Sequence, residues 1–239
     1  MRIRYLANTE EILAASALVI AAPREFKGAW REEMARRMGK APAHLYVEIG
    51  CGMGGFLRKM AQAHPDDAFI GVERISTILA RAAGSPDVEN VRTANIAYSA
   101  DNREASEYPN MVFVREEAEY LPESFAEGEV DGIFLNFSDP WPKERHAKRR
   151  LTSDRHLAVY EKILAPGGLL RFKTDNDGLF AFSLETLPAC GWDILRRTDD
   201  LHAEGEPMAV GNIMTEYETN FVRHGKKIHA LEATKCSKN

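Results

Sequence analysis

Three carboxylates stand at positions where apolar runs end. Glu48 closes HLYVEIG, Glu73 closes AFIGVE, and Asp139 follows VDGIFLNF within the stretch NFSDPWPKERHAKRR. After Glu48 comes GCGMGG, in which Gly50, Gly52 and Gly55 fall at GxGxxG spacing. Glycines at a strand-to-helix turn let the backbone curl tightly and approach a ligand closely. An acid at the end of the next strand is suited to accept hydrogen bonds from ribose hydroxyls, and Glu73 stands in that place.

The glycine loop alone fits a nicotinamide dinucleotide, S-adenosylmethionine or a purely structural turn. Glu48, two residues before Gly50, favours S-adenosylmethionine, whose cationic end a carboxylate can meet. The DPWP element after the fourth apolar run also argues against a dehydrogenase. In open α/β sheets ligands bind beyond the carboxyl ends of the strands, so Asp139 is expected to face the same crevice as Glu48 and Glu73. Pro140 and Pro142 stiffen its turn, and Trp141 offers either a stacking face or a packing anchor.

Six Lys or Arg crowd residues 143–155, beginning with Lys143, Arg145, Lys148, Arg149 and Arg150, with His146 among them. A charge run is usually a solvated face, but beside a ligand crevice it suits phosphate contacts. The net charge of −5 excludes a uniformly basic binder and leaves room for a local basic face. A second run, residues 24–40, also holds six Lys or Arg.

The elements that must position these residues alternate. Strands are expected at HLYVEIG, AFIGVE, NMVFV, VDGIFLNF and LLRFKTD. Helices are expected at GFLRKMAQAH, ISTILARAA, RHLAVYEKIL and GLFAFSLETLPACG. This order predicts a doubly wound, mostly parallel Rossmann-like α/β sheet. TEYETNFVRHGKKIHALEA reads as two strands around an RHGKK turn, a C-terminal hairpin that makes one edge antiparallel. ILAASALVIAAP reads as a docked helix, too short for a membrane span. The expected division is a helical, basic extension over 1–40 and a catalytic domain over 41–239. Residues 93–110, TANIAYSADNREASEYPN, read as a surface insertion with a helical turn. Three scattered cysteines form no CxxC pair or disulfide framework, which suits a reducing, cytoplasmic setting. No His and carboxylate cluster has metal-ligand spacing, so no metal is expected.

Taken together, VEIGCGMGGFL, FIGVE, LNFSDPWPKERHAKRRL, FKTDN and NIMTEYETNF resemble the bacterial tRNA (guanine-N7)-methyltransferases, in order from about residue 26 to residue 232. The DPWP and TEYE blocks are specific; the glycine loop is not. The resemblance implies a class I fold, S-adenosyl-L-methionine as cofactor, and methylation of N7 of guanosine 46 in the tRNA variable loop. It implies that Glu48, Gly50, Gly52, Glu73, Glu117 and Asp139 hold the cofactor, with Asp139 catalytic. The family usually has Asp where Glu117 stands. It further implies that Lys143, Asp175, Thr215, Glu216, Tyr217 and Glu218 bind substrate and that Arg145, His146, Lys148, Arg149 and Arg150 contact RNA. An amino or amide nitrogen methyltransferase acting on protein or DNA is the competing expectation. Monomer and homodimer both remain open.

Overall fold

The computed structural model describes residues 6, 8–84 and 107–236. The expected insertion at 93–110 lies outside the described residues except for its last four. In chain order the elements are α1 (Thr9–Ala15), β1 (Val19–Ile20), α2 (Trp30–Met38), β2 (Leu45–Ile49), α3 (Gly55–Ala63), β3 (Ala68–Glu73) and α4 (Ser76–Gly84). Then follow β4 (Met111–Arg115), α5 (Leu121–Ser124), β5 (Val130–Asn136), α6 (Asp154–Ile163), β6 (Leu164–Thr174), α7 (Asp177–Ala189), β7 (Trp192–Thr198), α8 (Glu216–Arg223) and β8 (His229–Lys235).

The strands form one sheet in the order β1-β4-β3-β2-β5-β6-β8-β7. β8 lies antiparallel to both β6 and β7, and the other neighbours are parallel. Continuous apolar runs suit strands covered on both faces, and β3 is buried at all six positions. Alternate residues serve opposite faces. Val47, Ile70, Val112 and Ile133 join Trp30, Phe125 and Tyr160 in one core cluster. Phe69, Met111, Phe113 and Phe134 join Phe56 and Leu57 in the other. The sheet is therefore sandwiched, and strand order reverses at β2, between β3 and β5.

The fold class is the one expected from the alternation, with three local corrections. TEYETNFV is not a strand. Thr215 caps α8 by accepting from the Glu218 N–H, and the Glu218 carboxylate accepts from the Thr215 N–H, a reciprocal capping box. The antiparallel partner of β8 on the outer side is β7, a strand the sequence reading overlooked. The N-terminal apolar run splits into α1 and the short edge strand β1, which pairs with β4.

Gly28 and Trp30 sew the start of α2 to the rest of the chain. Trp30 is fully buried, stacks on Phe125 with ring centroids 5.4 Å apart, and donates its indole N–H to the Ser124 carbonyl at 2.7 Å. The Glu129 carboxylate accepts from the Gly28 and Trp30 amides.

Candidate active site

The rim at the reversal between β2 and β5 opens into a cavity of about 650 Å³. Its lining includes Gly50, Gly52, Glu73, Ile75, Glu117, Asp139, Trp141, Lys148, Arg149 and Tyr217. Gly50 and Gly52 have φ of 74° and 57°, backbone that side-chain-bearing residues rarely adopt. A Cβ at either would meet nothing within 4 Å, so the loop leaves open space above itself. Glu73 accepts from the Gly52 N–H at 3.3 Å and the Ile75 N–H at 2.9 Å. Burial raises its pKa, against the pull of those amides.

Glu48 lies beneath the loop and is 3% exposed. The Asn136 side-chain amide donates to its Oε1 at 2.9 Å, and its Oε2 has no partner. Burial pushes its pKa up to about 8, and the nearby carboxylates of Glu216 and Glu73 add to the rise. A buried polar atom without a partner is costly, and a cation at this spot would satisfy it.

After β4 the two adjacent acids part company. Glu116 is buried and accepts from Arg24 and from the Ser124 hydroxyl. Glu117 is exposed, and both acids line the cavity.

The turn after β5 is held in unusual backbone. Phe137 and Trp141 have φ of 52° and 41°, a conformation costing roughly 1–3 kcal/mol for such residues. Packing supports it: Phe137 lies against Tyr217 and Phe221, and its N–H donates to the Lys173 carbonyl. Arg150 donates to the Pro140 and Trp141 carbonyls at 3.2 and 3.1 Å and sits over the Phe182 ring. Its guanidinium thus braces the turn. Asp139 is exposed at the apex, and the buried Ser138 hydroxyl beside it has no partner.

The two basic runs, equal in their number of Lys and Arg, have opposite surroundings. In the N-terminal run every Lys or Arg is engaged. Arg24 bonds Glu116 and Glu123, Lys27 the Pro122 carbonyl, and Arg31 Asp131. Arg36 and Arg37 share Glu33, and Lys40 bonds Asp66. In the run after β5, only Arg155 has a carboxylate partner, Glu119, among the described residues. Arg149 stacks over the Trp141 ring at 4.9 Å, and His146 meets the same ring edge-on. Lys143, Arg145, Lys148 and Arg149 are exposed beside the crevice. Trp141 therefore holds Arg149 on its face and His146 at its edge.

The remaining expected positions divide. Tyr217 is 62% exposed and lines the cavity. Glu216 occupies the space a Cβ at Gly55 would take, at the first turn of α3, where negative charge is favourable. Asp175 follows β6 and bonds Lys226 at 2.8 Å. Thr215 and Glu218 are buried in the cap of α8. Of the expected cofactor and substrate positions, Glu48, Lys143, Asp175, Thr215, Glu216 and Glu218 do not line the cavity, and neither do Arg145, His146 and Arg150 of the basic run. The sequence reading missed two polar residues at strand ends, Asn136 and Lys173. The signal was present, since an Asn or Lys inside an otherwise apolar strand needs a buried partner.

The sequence model of a family described as "Putative methyltransferase" (Methyltransf_4) matches residues 42–231. A protein of Lachnoclostridium phytofermentans named tRNA (guanine-N(7)-)-methyltransferase is 41% identical over 98% of both chains. One of the same name from Lactococcus lactis subsp. cremoris is 40% identical over 98% of this chain and 97% of its own. The chain belongs to the tRNA (guanine-N(7)-)-methyltransferase family. Among solved structures, the 16S rRNA methyltransferase KamB superposes with a TM-score of 0.59 at 13% identity, covering 86% of this chain and 92% of that one. That likeness shows a shared methyltransferase fold. The glycine loop, the acids Glu73, Glu117 and Asp139, and the basic Lys148 and Arg149 line one cavity.

Proposed function

We propose that the chain transfers a methyl group from S-adenosyl-L-methionine to N7 of a guanosine in tRNA, at position 46 of the variable loop. The observation that carries this reading is the junction at Asp139. An acid-lined crevice over a glycine loop continues directly into basic side chains that have no carboxylate partners among the described residues.

The residues fit the cofactor. The space above Gly50 and Gly52 is open to it, Glu73 and Glu117 offer acceptors for its hydroxyl and amino groups, and the orphaned Glu48 oxygen suits its cationic end. When bound, the cofactor supplies an electrophilic methyl group on a sulfonium. Guanine N7 carries a lone pair and no proton, so the protein needs no strong general base. Asp139 accepts from the N–H groups of the guanine edge and orients the ring. As methyl transfer gives the ring positive charge, Asp139 and its neighbouring acids stabilise it electrostatically. Aligning nucleophile, methyl carbon and sulfur supplies much of the remaining rate. Lys143, Arg145, His146, Lys148 and Arg149 bind phosphates, which positions the RNA without reading its sequence. Tyr217 offers an aromatic face to the substrate at the crevice, and the capped turn of Thr215 and Glu218 holds it from behind. No helix among the described residues is long and apolar enough to cross a membrane, and a tRNA substrate suits the cytoplasm.

Incubation with labelled cofactor and unmodified tRNA, followed by digestion to nucleosides, tests the reading. N7-methylguanosine is expected. Label in an exocyclic amino group, in protein or in DNA favours the amino or amide nitrogen reading instead.

A further inference from the structure

We propose that Lys173 is a positioning residue: its buried ion pair with Glu218 latches the segment 212–218 so that Tyr217 stands at the crevice and Glu216 stands beside the glycine loop. The inference rests on the tRNA methyl-transfer reading and assigns work to a residue outside the cavity lining.

The bonding leaves no spare capacity. A lysine ammonium has three N–H donors. Those of Lys173 reach the Asn212 side-chain oxygen at 3.0 Å, the Ile213 carbonyl at 3.0 Å and Glu218 Oε2 at 2.6 Å. A carboxylate offers about four acceptor sites. Glu218 fills them with Lys173, the Thr215 amide at 3.4 Å, the Asn212 amide at 2.7 Å and His202 Nε2 at 2.9 Å. Lys173 is 8% exposed and Glu218 is fully buried. Neither has a group left for cofactor or guanine, so both act through what they hold.

What they hold reaches the site. Lys173 belongs to β6, whereas Asn212, Ile213 and Glu218 belong to the segment entering α8, so one ammonium joins that segment to the central sheet. Two residues of the capped turn point elsewhere. Glu216 abuts Gly55 beside the glycine loop, and Tyr217 faces the cavity against Phe137. Lys59 of α3 adds a second tether, donating to the Met214 carbonyl at 2.7 Å. Glu216 and Tyr217 sit on a surface turn, and the ion pair beneath them supplies their fixed placement. Small misplacement of groups around reacting atoms costs up to roughly a hundredfold in rate.

The test is the Lys173→Met/Glu218→Gln pair, which removes both charges and leaves no unpaired ion in the interior. Cofactor affinity by calorimetry is expected to stay within about twofold, while kcat for tRNA methylation falls about tenfold or more. Amide exchange over 211–218 is expected to accelerate while that of β3 and α3 is unchanged. Unchanged exchange and kcat overturn the latch. A loss of cofactor affinity equal to the loss of kcat also overturns it, because Lys173 then belongs to the cofactor site. If the pair does not fold, the isosteric Glu218→Gln variant decides: faster exchange over 211–218 with intact cofactor binding supports the latch, and unchanged exchange overturns it. A wild-type chain inactive on tRNA sinks the methyl-transfer reading, and the exchange measurement still decides whether Lys173 holds the segment.

Discussion

Replacing Glu48 with Gln is expected to make the protein more stable at alkaline pH while impairing its cofactor site. Glu48 is 3% exposed, with one oxygen bonded to Asn136 and the other without a partner. Its pKa rises from an ordinary 4.5 to about 8, chiefly through burial. The folded state therefore holds a proton that the unfolded chain releases at lower pH. That stabilisation is fully present below pH 4.5, declines as pH rises, and is gone once pH passes about 8. At about 1.4 kcal/mol per pH unit, the whole window is worth about 5 kcal/mol. Glutamine has the same shape and no proton to lose. Melting temperatures of wild type and Glu48→Gln should coincide near pH 4 and diverge above it. Above pH 8 the variant should melt roughly 10 °C higher, at about 2–4 °C per kcal/mol for a chain of this size. Cofactor affinity of Glu48→Gln should fall, because the carboxylate that ionises against a cation is gone. Parallel melting curves for the two proteins from pH 4 to 9 would refute the argument that Glu48 is buried as a neutral acid.

Other perturbations separate the parts of the site. Asp139→Ala should lower kcat by about a hundredfold, with tRNA affinity changed less than about twofold; filter binding and single-turnover rates check both. Lys148→Ala with Arg149→Ala should weaken tRNA binding and reduce the salt slope by roughly one per lost phosphate contact. The matched control, Arg36→Ala with Lys40→Ala, should leave that slope unchanged, because those residues already serve Glu33 and Asp66. Thr215→Ala removes the cap of α8 and should cost about 1 kcal/mol in urea unfolding.

How much of this was legible in the sequence follows from the range of each signal. The parallel core was readable because β2 to β6 are apolar runs punctuated by glycine and proline, a local pattern. Glu73 and Asp139 were placed by position relative to strand ends and Glu117 by the family resemblance; all three line one cavity, whereas Glu48 lies outside its lining. The C-terminal region was misread because TEYETNFV alternates in polarity like a strand. The T-x-x-E spacing of Thr215 and Glu218 is a helix-start signal, and it outweighed the alternation. The partners of Glu48 and Lys173 come from strands and loops 39 to 88 residues away, and nothing local encodes such pairings. The number of Lys and Arg did not distinguish the two basic runs either. Only the fold shows that Arg31 meets Asp131 and Arg24 meets Glu116, whereas Lys148 and Arg149 face the crevice.

The central claim, methyl transfer to one guanine N7 held at Asp139, is tested most directly by chemical mapping. Unmodified tRNA is incubated with the protein and cofactor, then treated with borohydride and aniline, which cleave at N7-methylated guanosine. The account predicts a single new cleavage at guanosine 46, appearing about a hundredfold more slowly with Asp139→Ala. Methyl incorporation without cleavage, or undiminished cleavage with the Asp139→Ala protein, would contradict it.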